Sequence, residues 1–313
     1  MNRRSFLAAA VSVAAAKASR SRSILDTHIH LFDTRRPQGV PWPDKTDTVL
    51  YHPALPARYR RIAVPLGVRA AIAIECSPWF ADNQWLLDLA RANPIVVGVI
   101  GDLEPADPQF GHQLNALHRD PLFLGIRYGN LWGRSLSKSL DNPSFVAGVK
   151  SLADAGLTLD TANPDPPLLR AVVRLTDAVP NLRVVLDHLP RLDMPEDVKA
   201  RSVCEADLRE LAARPQVFVK VSGVLRRING VVPPQSPLYQ STLDQIWNRF
   251  GSDRLVYGSD WPNSDLWAPY PIELNVVRTY FESKGPVAAE KYFWKNSIAA
   301  YRWTPRQLSQ RIV

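Results

Sequence analysis

Asp26-Thr27-His28-Ile29-His30 sets an acid and two imidazoles at alternate positions of one short run. An extended strand turns every second side chain to the same face, so this spacing would bring residues 26, 28 and 30 together. Neutral imidazoles ligate zinc-like ions, and a carboxylate beside them can ligate the same ion or orient a water. The alternative is two histidines bonded to neighbouring loops, since an H-x-H is short and common. A second acid-ended run, Leu255-Val256-Tyr257-Gly258-Ser259-Asp260-Trp261-Pro262, favours the chemical reading.

What positions such residues is a series of apolar runs at 24–30, 70–77, 95–103, 122–128, 157–162, 184–188, 217–222 and 255–260. Segments with helical spacing separate them at 83–93, behind a possible Asp82 cap, and at 143–155, 168–178, 202–213 and 241–250. Near-continuous Val/Ile/Leu strands alternating with helices imply a parallel sheet covered by helices. Eight such units in one domain predict an α/β protein, a (β/α)8 TIM barrel. A doubly wound open sheet is the structural alternative, but no G-x-G-x-x-G follows the first strand. The Pro-rich stretches 35–65 and 229–238 read as inserted loops.

In a barrel of this kind the active site lies at the C-terminal ends of the strands. His30, Glu75, Arg127, Asp160, His188, Lys220 and Asp260 close strands one, two, four, five, six, seven and eight, and should meet in one basin. Parity agrees, pairing Leu186 with His188, Phe218 with Lys220 and Gly258 with Asp260. Ionisable groups inside a barrel must be paired or engaged with ligand and water. Arg127 and Lys220 fit either an internal ion pair or a substrate contact, and Glu75 and Asp160 are as a rule structural.

Residues 1–18 read as an export signal. Arg3-Arg4-Ser5-Phe6-Leu7 opens it, an alanine-rich run reaches Ala16, and Ala16-Lys17-Ala18 fits a small-x-small cleavage site. The arginine pair matches the twin-arginine type, with an ordinary secretory signal or an uncleaved anchor as alternatives. Delivery to the periplasm or the exterior is therefore expected, with residues 19–313 as the barrel. The apolar run falls short of the roughly 20 residues a membrane span needs. Of the formal charge of +8, Arg3, Arg4 and Lys17 supply three, leaving +5 spread without a basic block. That pattern fits a solvated surface and a small anionic or polyhydroxylated substrate, and argues against nucleic acid as a partner. Cys76 and Cys204 read as two unpaired thiols.

Five motifs in order, D-T-H-I-H, G-I-R at Gly125-Ile126-Arg127, V-L-D-H ending at His188, V-K-V-S-G ending at Gly223 and Y-G-S-D-W-P ending at Pro262, resemble the amidohydrolase-related family. Its sugar and aromatic-acid lactonase branch is the nearest in pattern. The resemblance runs from about Ile24 to Trp303. It implies a metal-site barrel that hydrolyses esters or amides, with His28, His30, His188 and Asp260 as site positions. One departure stands out: many metal-dependent relatives end strand five with a histidine or lysine, where this chain has Asp160. That speaks against a binuclear centre, and some lactonases of the branch work without metal.

The chemistry expected is opening of a small lactone. Such a carbonyl needs an activated water on one side and a positive or hydrogen-bonding group at the oxyanion on the other. Asp260 is the expected general base, and His188 would position or polarise the water or the carbonyl. His28, His30 and Asp260 would hold at most a single divalent ion, zinc by preference, or the histidines would bond the carbonyl oxygen directly. Arg127, Lys220 and Glu75 would bind substrate carboxylate or hydroxyls. Trp42, Trp79, Trp132, Trp261 and Trp267 could stack on a sugar ring, although packing explains each one as well. A metal-dependent decarboxylase on this scaffold and a non-catalytic barrel that binds a ligand are the other two readings.

Overall fold

The computed structural model describes residues 23–311, so the signal expected at 1–18 lies outside the described residues. Eight strands, β1 (Ile24–Ile29), β2 (Val68–Ile74), β3 (Val96–Gly101), β4 (Phe123–Arg127), β5 (Thr158–Asp160), β6 (Arg183–Leu186), β7 (Val217–Val221) and β8 (Leu255–Tyr257), pair in parallel in chain order. The ends of the sheet meet just beyond β8, where His30 N–H donates to Trp261 O at 2.7 Å and Asp260 N–H to His28 O at 2.9 Å. Helices connect the strands, giving the expected (β/α)8 barrel.

Cap chemistry moves several helix starts ahead of the sequence expectation. Asp165 accepts from Leu168 N–H and starts a helix at Pro166, while Asp197 accepts from Ala200 N–H and starts one at Val198. Asp82 is not a cap: it sits in the first turn of Phe80–Ala92. Within the stretch read as a loop, Pro56–Ala63 is a helix that buries Tyr59 and Ala63, its Pro at the first turn where no N–H is needed. Two buried apolar layers result. One fills the space between sheet and helices. The other lies inside the barrel, where Leu25, Ile72, Val185, Phe218 and Val256 pack on Trp294, Tyr301 and Trp303 of the C-terminal segment.

That segment closes the end where the strands begin. Thr158 Oγ1 and Arg183 Nε from the first residues of β5 and β6 both donate to Ala300 O. Polar side chains therefore gather at the other end. Cys76 and Cys204 are buried free thiols. Among the described residues no helix is long and apolar enough to cross a membrane.

Candidate active site

Simple strand parity fails at the point where the site begins. Between Asp26 and Ile29, β1 advances three residues while its partner β2 advances two, from Ala71 to Ala73. The extra residue is a bulge, which re-aims side chains. Asp26 consequently points away from His28 and His30. Its carboxylate takes the hydroxyls of Tyr59 at 2.9 Å and Tyr270 at 3.0 Å and the N–H of Ser259 at 2.9 Å. The convergence expected of residues 26, 28 and 30 is thus corrected: Asp26 ties β1 to the chain after β8. Burial raises its pKa against those hydrogen bonds.

Parity is wrong for β6 as well. Leu186 faces the helices and Val185 the interior. His188 reaches the site because its backbone turns left-handed, at φ 54°, after the strand ends. Asp260 does the same beyond β8, at φ 59°. Non-glycine residues held there store strain, which clusters at functional sites. Gly258 makes room below them, since a Cβ would stand 2.8 Å from His28 Cβ and 3.0 Å from Lys220 Cδ.

Four of the expected residues come together. Asp260 Oδ1 lies 3.3 Å from His30 Nε2, 3.6 Å from His28 Nε2 and 3.8 Å from His188 Nε2. All four side chains are at least nine-tenths buried. The second oxygen of Asp260 accepts from Asn263 Nδ2 at 2.8 Å and pairs with Arg191 Nη2 at 3.2 Å. Burial opposes the charge on Asp260, but the neighbouring His188, His30 and Arg191 outweigh it and hold the carboxyl below the usual range. Burial pushes His188 down to about 3 in spite of Asp260, so the imidazole is neutral near pH 7. His28 is also driven down, by burial and then by the charge of Lys220.

These donors fit one divalent ion. His30 Nδ1 is 3.1 Å from Ile74 O, which only accepts, so in the neutral ring the proton is on Nδ1 and Nε2 keeps a lone pair. His28 Nε2 faces that lone pair at 3.1 Å. Tetrahedral bonds of about 2.0–2.1 Å set ligand atoms about 3.3 Å apart. The separations of 3.1, 3.3 and 3.6 Å among His28, His30 and Asp260 bracket this value. Asp260 Oδ1 is also buried without a hydrogen-bond partner among the described residues. A shared cation would satisfy both imidazoles and the carboxylate.

The other expected residues sit apart from this cluster. Lys220 has no exposure, and its ammonium stands 2.7 Å from Asp160 Oδ2 and 2.8 Å from Asp187 Oδ1. Of the two roles open to it, the ion pair is the one formed. Arg127 donates from Nε to Glu75 Oε1 at 2.7 Å and from Nη2 to Glu75 O at 2.8 Å. Glu75 Oε2 accepts from Ser77 N–H and Trp132 Nε1. Arg127 and Glu75 are thus a buried pair in the wall, with Trp132 braced against it. Trp42 stands edge-on to His30, with ring centroids 5.6 Å apart, and lines a small apolar pocket with Leu31, Val40 and Trp85.

Sequence reasoning missed Asp187, Arg191 and Glu273. Asp187 stands inside V-L-D-H, but parity counted from Leu186 turned it outward. Arg191 lies three residues after His188 on the turn Leu189–Arg191. Its signal is the last residue of V-K-V-S-G: Gly223 has φ 62°, and a Cβ there would come within 2.1 Å of Arg191 Nε. Glu273, on the helix Tyr270–Ser283, accepts from Gly223 N–H at 3.1 Å. Burial and then the charge of Asp260 push it up to about 8, with Arg191 opposing.

Comparison with known proteins adds four findings. The amidohydrolase family matches the chain over residues 25–303. An L-fucono-1,5-lactonase of Burkholderia ambifaria is 28% identical over 243 residues, covering 77% of this chain and 81% of that protein. An L-fucono-1,5-lactonase of Burkholderia multivorans is 26% identical over 296 residues, covering 92% and 98%. Among solved structures, an amidohydrolase from Burkholderia multivorans with bound zinc superposes with a TM-score of 0.77 at 24% identity, covering 90% of this chain and 99% of that one.

Proposed function

The chain belongs to the amidohydrolase family, and from that premise we propose that it opens a small sugar-acid or related carboxylated lactone, with Asp260 taking the proton of the attacking water. The observation that carries this is Asp260 Oδ1 itself, ionised and buried, without a hydrogen-bond partner among the described residues and within 3.8 Å of three imidazole nitrogens. A general base must be ionised at the working pH and aimed at the position water occupies. Asp260 meets the first condition through His188, His30 and Arg191, which outweigh burial, and the second through the left-handed turn at residue 260. The relatives named L-fucono-1,5-lactonase support a lactone as the substrate class.

His188, neutral and bonded through Nδ1 to Ser222 Oγ at 2.8 Å, presents Nε2 to the water or the carbonyl oxygen. His28, His30 and Asp260 would hold a single divalent ion, and zinc suits two imidazoles and a carboxylate. Such an ion supplies Lewis acidity, which activates water and polarises a carbonyl. Arg127, paired with Glu75 in the wall, would offer its remaining N–H groups to a substrate carboxylate, while Lys220 acts from below through its carboxylates. Export remains part of the proposal, resting on Arg3-Arg4 and the apolar run that follows.

The test is a panel of aldonic and carboxylated lactones, L-fucono-1,5-lactone among them, together with elemental analysis of the dialysed protein. Hydrolysis of at least one lactone with no more than one zinc per chain is expected. No turnover across the panel would overturn the reaction, and two retained metal equivalents would overturn the single-ion site.

A further inference from the structure

Beneath His28 the barrel interior holds a second constellation that the hydrolytic steps do not use. Asp160 ends β5, Lys220 lies in β7 and Asp187 follows β6, and none of the three has any exposure. Lys220 Nζ donates to Asp160 Oδ2 at 2.7 Å and stands 2.8 Å from Asp187 Oδ1. The hydroxyl of Tyr301, from the segment that plugs the barrel, donates to Asp160 Oδ2 at 2.8 Å. The remaining oxygen of Asp187, Oδ2, lies 3.5 Å from His28 Nδ1.

Among the described residues neither His28 Nδ1 nor Asp187 Oδ2 has a hydrogen-bond partner. A buried polar group left unsatisfied is destabilising, and one arrangement relieves both: a proton on His28 Nδ1 aimed at Asp187. Site hydrogen bonds are often long until ligand closes the site, so 3.5 Å is compatible with that role. The consequence reaches the reacting cluster. A proton on Nδ1 leaves His28 Nε2 as a lone pair, and this nitrogen faces His30 Nε2 at 3.1 Å and Asp260 Oδ1 at 3.6 Å.

We propose that Asp187 is a positioning residue: it holds the proton of His28 on Nδ1, and Lys220 with Asp160 forms the buried counter-charge that keeps Asp187 in place. The proposal rests on reading His28 as part of the reacting cluster. It gives Lys220 a role other than substrate contact, and it accounts for Gly258, which lets His28 and Lys220 pack side by side. Carboxylates that orient a ligating imidazole in this way typically change metal affinity 10–100-fold when removed.

The experiment is ring-nitrogen NMR on uniformly ¹⁵N-labelled protein, both zinc-loaded and chelator-treated. The chain has six histidines, and the signals of His28 are assigned from their loss in His28→Gln. Wild type should show His28 protonated on Nδ1 in both states. In Asp187→Asn the ammonium of Lys220 only donates, so it retains the amide oxygen and turns the NH₂ toward His28. The proton of His28 should then move to Nε2, zinc affinity should fall roughly 10–100-fold, and kcat should drop with KM little changed. Should the Asn variant not fold, Asp187→Leu fills the place without an acceptor and should likewise remove the preference for Nδ1. A folded Asp187 variant that keeps the wild-type His28 signals, or a wild type carrying this proton on Nε2, would overturn the proposal. The NMR result stands whether or not any lactone is hydrolysed, so failure of the reaction and failure of the positioning role are told apart.

Discussion

At the level of Leu25, Val185, Phe218 and Val256 the barrel interior is apolar and sealed by Trp294, Tyr301 and Trp303. A few residues further along the same strands it holds His28, Asp187, Lys220 and Asp260, nearly all without exposure. The lower region repeats branched and aromatic side chains that pack at crystal-like density, and it does so across register shifts at Ile24/Leu25, Ala71/Ile72 and Val99/Ile100. The upper region departs from alternation, with a bulge in β1 and left-handed turns at His188 and Asp260. Apolar packing and ionisable groups are thus separated along the barrel axis, and the left-handed turns of the upper half rest on the apolar lower half.

If that separation is real, substitutions in the two regions should fail in different assays. Trp294→Ala, in the plug against Trp303, should cost roughly 3–5 kcal/mol of stability, as large-to-small changes in cores do. Urea unfolding measures it, and the folded fraction should keep kcat/KM within a few-fold of wild type. Asp260→Asn should behave the other way. Its shape is retained but the proton acceptor is gone, so kcat on the best lactone should fall roughly 10²-fold or more while the unfolding midpoint moves little. A wild-type rate in Asp260→Asn would remove this residue from the centre of catalysis. A kcat in Trp294→Ala as low as that of Asp260→Asn would erase the distinction between the halves.

Arg191→Met sharpens the comparison within the upper region. The guanidinium lies 3.2 Å from Asp260 Oδ2 and is partly exposed, so methionine can cover the gap while Asn263 Nδ2 still donates to the buried Asp260. Hydrogen bonds to charged groups contribute about 1.5–3 kcal/mol, and kcat/KM should fall roughly 10-fold. An unchanged value would mean that Asn263 alone orients Asp260.

Much of this was legible in the sequence. The strands and their parallel order follow from hydrophobic runs, the approach of His30, His188 and Asp260 from polar residues at strand ends, and the set that adds His28 from the family resemblance. The local route to the site was not. Nothing in Ile24-Leu25-Asp26 announces a bulge, because the same residues suit either register, and the bulge decides that Asp26 faces Tyr59 while His28 faces the basin. Left-handed backbone at an aspartate or a histidine leaves no pattern to count. Arg191 and Glu273 reach the site through contacts across 32 and 50 residues around Gly223, and periodicity does not carry such distances.

Glu273 offers the subtlest test, since at neutral pH its substitution should change stability and leave activity almost untouched. It lies behind the site and is buried, and its pKa is raised from an ordinary 4.5 to about 8. A carboxyl with a raised folded-state pKa binds its proton more tightly folded than unfolded. Its contribution to stability is therefore complete below about pH 4.5, declines as the unfolded chain ionises, and is gone once the pH has passed through about 8. Glu273→Gln resembles the protonated acid and can still accept from Gly223 N–H, but it cannot ionise. At pH 7 the variant should match wild type in activity but exceed it in melting temperature, since glutamine is spared the loss that begins above about pH 4.5. Between about pH 4.5 and 8 the wild type should lose stability faster, because the unfolded chain releases the proton that the folded carboxyl keeps, and above about 8 the two proteins should run parallel. Melting curves across that range measure the difference. Parallel losses in the two proteins would show that Glu273 is already ionised in the fold, and that Arg191 serves it as a counter-ion rather than serving Asp260.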